Sequence, residues 1–256
     1  MEQRFSFDRT ADLYGTSRPI YPEALFDEIA NFADLAHDDA VLELGCGTGQ
    51  ATRGFARQGL SVLALDPGAE LLRVARQTLA SFHSIEFVQA TFEAWPPRSA
   101  AFKLVASAQA FHWIAPDVRF VKAAEVLAPR GTLAVFGNVP VGLDAALLAE
   151  FRRVYAAHGF PETSPPERWY LPSGPIAQLF AESELFEPTV HASFAWNRLF
   201  TSSSYVAFLH TRSDHQMMEA VTREKLIADI AQEIVAHGDE FEMNYETHLY
   251  MARRAS

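Results

Sequence analysis

The chain has 256 residues, 49% of them apolar, and a formal net charge of -11 from 21 basic and 32 acidic residues. That length and apolar content give a folded globular protein with a full core and exclude a disordered or low-complexity chain. The acidic balance opposes approach to a phosphate backbone, so nucleic acid is not an expected partner. The single cysteine, Cys46, cannot close an internal disulfide or build a metal site alone.

The chain begins with residues 1–40, an N-terminal helical segment expected to lie over a bound cofactor, with a helix from Pro22 to about Phe32 and Pro22 in its first turn. From 41 to 137 short apolar runs at 41–44, 61–66, 84–89, 102–107 and 131–137 alternate with amphipathic stretches. Leu71, Leu72, Val74, Ala75 and Leu79 make one helical stripe, and Phe120, Val121, Ala124 and Leu127 make another. Buried strands separated by such helices predict a parallel sheet wound in right-handed units. Residues 140–180 read as helical around a proline-rich interruption, Pro161-Glu162-Thr163-Ser164-Pro165-Pro166, expected to be a cap or lid. A strand at 186–196, helices near 202–212 and 216–236, and a final strand at 241–252 complete the pattern. The expected fold is α/β: a Rossmann-like, doubly wound, seven-stranded sheet, mostly parallel with an antiparallel last strand, plus a helical cap. Within one domain, 41–137 is the expected cofactor-binding core, and 138–185 with 197–238 the cap and substrate-side helices.

The chemistry concentrates after the first strand, where Val41-Leu42-Glu43-Leu44 runs into Gly45-Cys46-Gly47-Thr48-Gly49, and at Asp66, which ends the second strand. Glycines permit the backbone angles of a tight turn and let a ligand touch the main chain. A helix starting near Gln50 aims free N–H groups at an anionic tail, and Asp66 can accept from both hydroxyls of a ribose. The order Gly45-x-Gly47-x-Gly49 differs from the G-x-G-x-x-G of dinucleotide sites, so an NAD-dependent oxidoreductase becomes the minor alternative.

Glu43-Leu44-Gly45-Cys46-Gly47-Thr48-Gly49, accompanied by Asp66, resembles the E/D-x-G-x-G-x-G signature of class I methyltransferases that use S-adenosylmethionine. The N-terminal Phe7-x-x-x-Ala11-x-x-Tyr14-x-x-x-Arg18-Pro19-x-Tyr21-Pro22 and Ser107-Ala108-Gln109-Ala110-Phe111-His112-Trp113 are similar to the branch containing trans-aconitate methyltransferase and its relatives. The resemblance implies S-adenosylmethionine as cofactor, with S-adenosylhomocysteine as product. It places Glu43, Gly45, Cys46, Gly47, Thr48, Gly49 and Asp66 around the methionine end and ribose, and Pro67, Thr91 and Phe92 at the adenine. Many relatives carry Asp where this chain has Thr91, a change that costs about 1 kcal/mol for one hydrogen bond. Gln109 and Ala110 would present carbonyls to the methionine amine, and Tyr14 and Arg18 would fold over the same end.

The expected reaction is methyl transfer to a small organic molecule, with carboxylate O-methylation as the branch-level form. His112 is the candidate base, with a pocket wall as its other reading, and Trp113, Arg168, Trp169 and Tyr170 are candidate substrate contacts. Trp196, Arg198, His210 and Arg212 are also available in the cap. The nine histidines show no H-E-x-x-H spacing, so no metal is expected. An N/D-P-P-Y-like segment for base methylation is lacking after the fourth strand. A protein that binds the cofactor without turnover is the other alternative. The opening residues lack an apolar core of signal-peptide length and no run reaches the roughly 20 residues of a membrane helix, so the expectation is a cytoplasmic protein with no membrane partner. Oligomeric state is not readable.

Overall fold

The computed structural model describes residues 7–160 and 166–255. Seven strands form one sheet: β1 Ala40–Leu44, β2 Ser61–Asp66, β3 Ile85–Gln89, β4 Phe102–Ala108, β5 Leu127–Gly142, β6 Val190–Thr201 and β7 Glu240–Arg253. Their order is β3-β2-β1-β4-β5-β7-β6. Pairings from β3 through β5 are parallel, whereas β7 runs antiparallel to both β5 and β6. β1 and β4 lie side by side, and from that pair the chain winds outward in both directions. The crevice beyond their carboxyl ends is therefore the topological switch point where doubly wound sheets bind ligands.

The helices are α1 Ala11–Ser17, α2 Glu23–Phe32, α3 Gln50–Arg57, α4 Ala69–Thr78, α5 Pro116–Val126, α6 Ala145–Ala157, α7 Pro175–Ala181, α8 Ser202–His210, α9 Ser213–Gln216 and α10 Ala220–Ala236. Pro22 caps α2 from just outside its first turn rather than lying within it. The helix expected over 216–236 starts at Ala220 instead, because the Glu219 carboxylate accepts from the N–H groups of Val221 and Thr222 and caps α10 there. The strand expected at 131–137 is longer, since β7 pairs with β5 from Thr132 to Gly142 and carries it past the end of β4. The strand expected at 186–196 lies at 190–201 instead, in full register with β7. The proline-rich interruption falls at 161–165, outside the described residues. No helix among the described residues is long and apolar enough to cross a membrane.

Two apolar layers flank the central strands, one holding Leu42, Val105, Phe111 and Tyr250, the other Leu25, Phe26, Phe55 and Phe136. In the second, the Phe26 ring meets Phe55 edge-on at 5.1 Å. It can do so because residue 54 on α3 is glycine: a Cβ there would stand 2.1 Å from the Phe26 ring. A third apolar layer, with Phe151, Phe200, Ile230 and Phe241, packs α6, α8 and α10 on the extended β6–β7 end.

Candidate functional site

The turn after β1 holds three residues with positive φ, Gly45 at 71°, Gly47 at 57° and Gly49 at 88°. In this region an L side chain is strained, so glycine is required. The turn closes on β2, with the N–H groups of Gly45 and Cys46 both donating to the Leu65 carbonyl at 2.9 Å. It also packs against the loop after β4 so closely that a Cβ on Gly45 would lie 2.4 Å from that of Ala110.

Asp66 ends β2 and is 6% exposed. Its Oδ2 accepts from Gly47 N and its Oδ1 from Gly68 N, each at 2.8 Å. Burial outweighs these two hydrogen bonds and pushes its pKa up to about 6. A carboxylate offers about four acceptor positions, so two remain for a ligand. Next to it, Asp8 Oδ1 accepts from Glu70 N at 2.7 Å and Leu71 N at 3.1 Å, pinning the N-terminal segment to the start of α4.

These residues open onto a solvent-accessible cleft of about 750 Å³ whose lining includes Tyr14, Gly45, Gly47, Asp66, Pro67, Thr91, Phe92, Gln109, Ala110 and Trp113. Leu44, Leu65, Leu71, Ala90, Glu93, Ala108 and Ile114 complete the wall and were not singled out by sequence. The loop after β3 is held from behind by Lys122 on α5. Its ammonium donates to the carbonyls of Phe92 at 2.6 Å, Glu93 at 3.1 Å and Trp95. Burial lowers the Lys122 pKa. Opposite, Gln109 sits at φ 53°, an uncommon angle for a non-glycine residue. Its side chain accepts from Tyr21 OH at 3.2 Å and donates to the Asn138 carbonyl at 3.4 Å, while its N–H donates to Phe136 O at 2.9 Å.

Residues 41–131, which contain this turn, Asp66 and both loops, match the model of the methyltransferase domain family. Over those residues the chain carries a methyltransferase domain. An uncharacterized methyltransferase of Mycobacterium bovis is 33% identical over 137 residues, 54% of each chain. The chain thus spans about half the length of the curated relatives it matches. Among solved structures, a proposed type II methyltransferase from Anaeromyxobacter dehalogenans superposes with TM-score 0.69 at 21% identity, covering 92% of this chain and 97% of that one. Phosphoethanolamine N-methyltransferase 2 of Haemonchus contortus, solved with phosphomonomethylethanolamine and S-adenosylhomocysteine, has TM-score 0.57 and 13% identity, covering 97% of this chain and 58% of that one. At these identities the structural likeness is one of fold.

Not every predicted site residue of the methyltransferase domain reaches the cleft. Glu43 lies behind the turn, 1% exposed, with burial raising its pKa to about 7 against the opposing effect of Thr52 beside it. Cys46 is buried in the apolar layer with Phe26 and Phe55, and burial pushes its thiol pKa well up. Thr48 spends its hydroxyl on Gln50, and Gly49 begins α3. Arg18 lies over the Tyr14 ring at 4.6 Å but donates to the Thr211 carbonyl at 2.6 Å and borders a different cavity.

The aromatic group after β4 also needs correction. His112 packs against Trp113 at 4.6 Å and Trp169 at 5.7 Å, with Nδ1 3.2 Å from the Tyr170 hydroxyl. Burial first, then the Arg119 charge, lowers its pKa to about 4, and its Nε2 has no hydrogen-bond partner among the described residues. Tyr170, expected as a substrate contact, is a core residue: it is fully buried, flat against Gly137, with its carbonyl accepting from Tyr250 OH at 3.0 Å. Arg168 is exposed and Trp169 half-buried, and neither lines a cavity described here.

The second cavity, about 380 Å³, shares Gln109 with the first cleft. Arg18, Glu167, Tyr205, Arg212 and Tyr245 stand around it. Arg212 makes a two-pronged pair with Asp214, at 2.7 and 3.1 Å, and a longer contact with Glu167 at 3.5 Å. Burial would raise the Asp214 pKa, but hydrogen bonds from His215 and Arg212, with the Arg212 charge, hold it well below the carboxylate range.

Proposed function

We propose that this chain transfers a methyl group from S-adenosylmethionine to a small organic acceptor. The observation that carries the reading is Asp66, a buried carboxylate tied to the positive-φ glycine turn and facing the cleft with acceptor positions unused. The residues present fit the cofactor. Asp66 would take the ribose hydroxyls, and Leu71, Phe92 and Ile114 offer apolar walls for a flat base. Gln109 and Ala110 would hold the methionine end, with Tyr14 over it. The cofactor, when bound, supplies an electrophilic methyl: an acceptor lone pair forms the new bond while the methyl–sulfur bond breaks and its electron pair stays on sulfur.

The protein's part is to align acceptor and methyl and to exclude water. Trp113 would border the reacting methyl. With its pKa near 4, His112 is too weak a base to hold a proton near neutrality, so in this reading it is a wall that orients Trp113 and Trp169. The second cavity, reached past Gln109, would receive the acceptor, with residues 138–185 and 197–238 as its cap. The carboxylate-methylating form of the reading would use the guanidinium groups that border this cavity, Arg18 and Arg212.

Calorimetric titration with S-adenosylhomocysteine tests the cofactor, with NAD for comparison and Asp66→Ala as control. Micromolar binding of the first, none of NAD, and a clear loss in the variant are expected. Binding of NAD alone would replace the reading with an oxidoreductase.

A further inference from the structure

The second cavity is lined by one carboxylate, Glu167, and two guanidinium groups, Arg18 and Arg212. Arg212 is held by both oxygens of Asp214, whose own place is fixed by His215 Nδ1 at 2.8 Å, with His215 Nε2 in turn 3.0 Å from the Tyr155 hydroxyl. The Arg212 charge is therefore matched by a carboxylate that does not line the cavity. Glu167 keeps only the 3.5 Å contact from its Oε1 to Arg212. Its Oε2 is buried and has no hydrogen-bond partner among the described residues. An unmatched buried carboxylate oxygen costs several times what a formed hydrogen bond contributes, and a site bearing one favours a ligand that supplies the donor. Tyr205, Phe208 and Tyr245 add aromatic surface to the same cavity.

We propose that Glu167 selects the methyl acceptor, and that the acceptor is a small aromatic or apolar molecule bearing a hydroxyl or ammonium group that donates to the Glu167 carboxylate. A carboxylate in that position would face like charge. The inference rests on the methyl-transfer reading and names the acceptor class of the site next to its cofactor cleft.

The test uses the full chain saturated with S-adenosylhomocysteine, so failure of the cofactor to bind is seen first and counts against the methyl-transfer reading alone. Benzyl alcohol, benzylamine and benzoate, matched in size, are then titrated calorimetrically. The alcohol and the amine are expected to bind roughly tenfold or more tighter than benzoate, the scale of one charge-assisted hydrogen bond. Glu167→Gln keeps an acceptor oxygen without the charge, so it should weaken the amine while sparing the alcohol, and Glu167→Ala should weaken both. A role for Glu167 in folding alone would instead lower the melting temperature of both variants and leave the ranking of the three probes intact, which overturns the proposal. Tightest binding of benzoate, or no binding of any probe to the saturated protein, overturns it too.

Discussion

Asp66 and Gly47 are joined by a hydrogen bond of 2.8 Å from the glycine N–H to the carboxylate Oδ2, so the end of β2 sets the shape of the turn after β1. Two parts of the cleft 19 residues apart are thus tied together. Asn at 66 keeps one acceptor oxygen but loses the charge and the second acceptor. We expect Asp66→Asn to weaken S-adenosylhomocysteine binding by about tenfold to a hundredfold, from one or two hydrogen bonds to a charged group. Calorimetry measures it directly.

The same carboxyl sets a pH dependence. Burial raises the Asp66 pKa to about 6 from its ordinary 3.8, so in that window the folded state holds more protons than the unfolded one. Asp66 therefore contributes stability that falls as pH rises from about 4 to 6, by on the order of 3 kcal/mol. Glu43, raised from 4.5 to about 7, acts in the same direction. Denaturant titrations from pH 4 to 8 should show this decline, flatter in Asp66→Asn and in Glu43→Gln. Ribose hydroxyls favour the ionised carboxylate, so affinity for S-adenosylhomocysteine should instead rise with pH through about 6.

His112 behaves oppositely. Its pKa is lowered from 6.5 to about 4, so its neutral ring contributes stability that is present above pH 6.5 and lost as pH falls toward 4. Proton NMR of the ring should show no titration step between pH 6 and 8. A step near 6.5 would mean the ring is solvated and free to act as a base.

Much of this arrangement is legible in the sequence, for local reasons. β2 is readable to the residue because an apolar run ends abruptly in Asp66, and the start of α3 is readable because Gly49 must come before it. The second cavity is not legible. Its walls come from Arg18, Gln109, Glu167, Arg212 and Tyr245, which only the antiparallel β5–β7–β6 end of the sheet and the helices on it bring together. Arg18 finds its carbonyl partner on Thr211, 193 residues away. Tyr170 misleads for a related reason: the spacing of aromatic residues near Trp169 cannot tell a ring facing a ligand from one lying on Gly137. The lysine clamp carries no motif at all, since carbonyls accept from any suitably placed cation.

Gly54 is a mid-helix glycine that costs about 1 kcal/mol in helix propensity relative to alanine. Its place is explained by Phe26, whose ring occupies the space of the missing Cβ. Gly54→Ala should therefore destabilise despite the better propensity, by about 1–3 kcal/mol for overpacking. That lowers the melting temperature by several degrees. The double variant Gly54→Ala with Phe26→Leu should recover part of the loss, and a stabilised single variant would contradict the packing argument.

Lys122 places its ammonium against three carbonyls of the 92–95 loop, those of Phe92, Glu93 and Trp95. That loop carries Phe92 and Glu93 on the cleft wall, while Glu93 Oε1 also accepts from Ala115 N at 3.0 Å. Lys122→Met keeps the stem but leaves three carbonyls short of a donor, costing about 1–3 kcal/mol for the worst of them. A loop so loosened should bind S-adenosylhomocysteine about tenfold more weakly. Lys122→Arg, with its donors in a fixed fork, should restore only part of this. Full affinity in Lys122→Met, with a lowered melting temperature, would mean that the clamp steadies the fold and not the cleft wall.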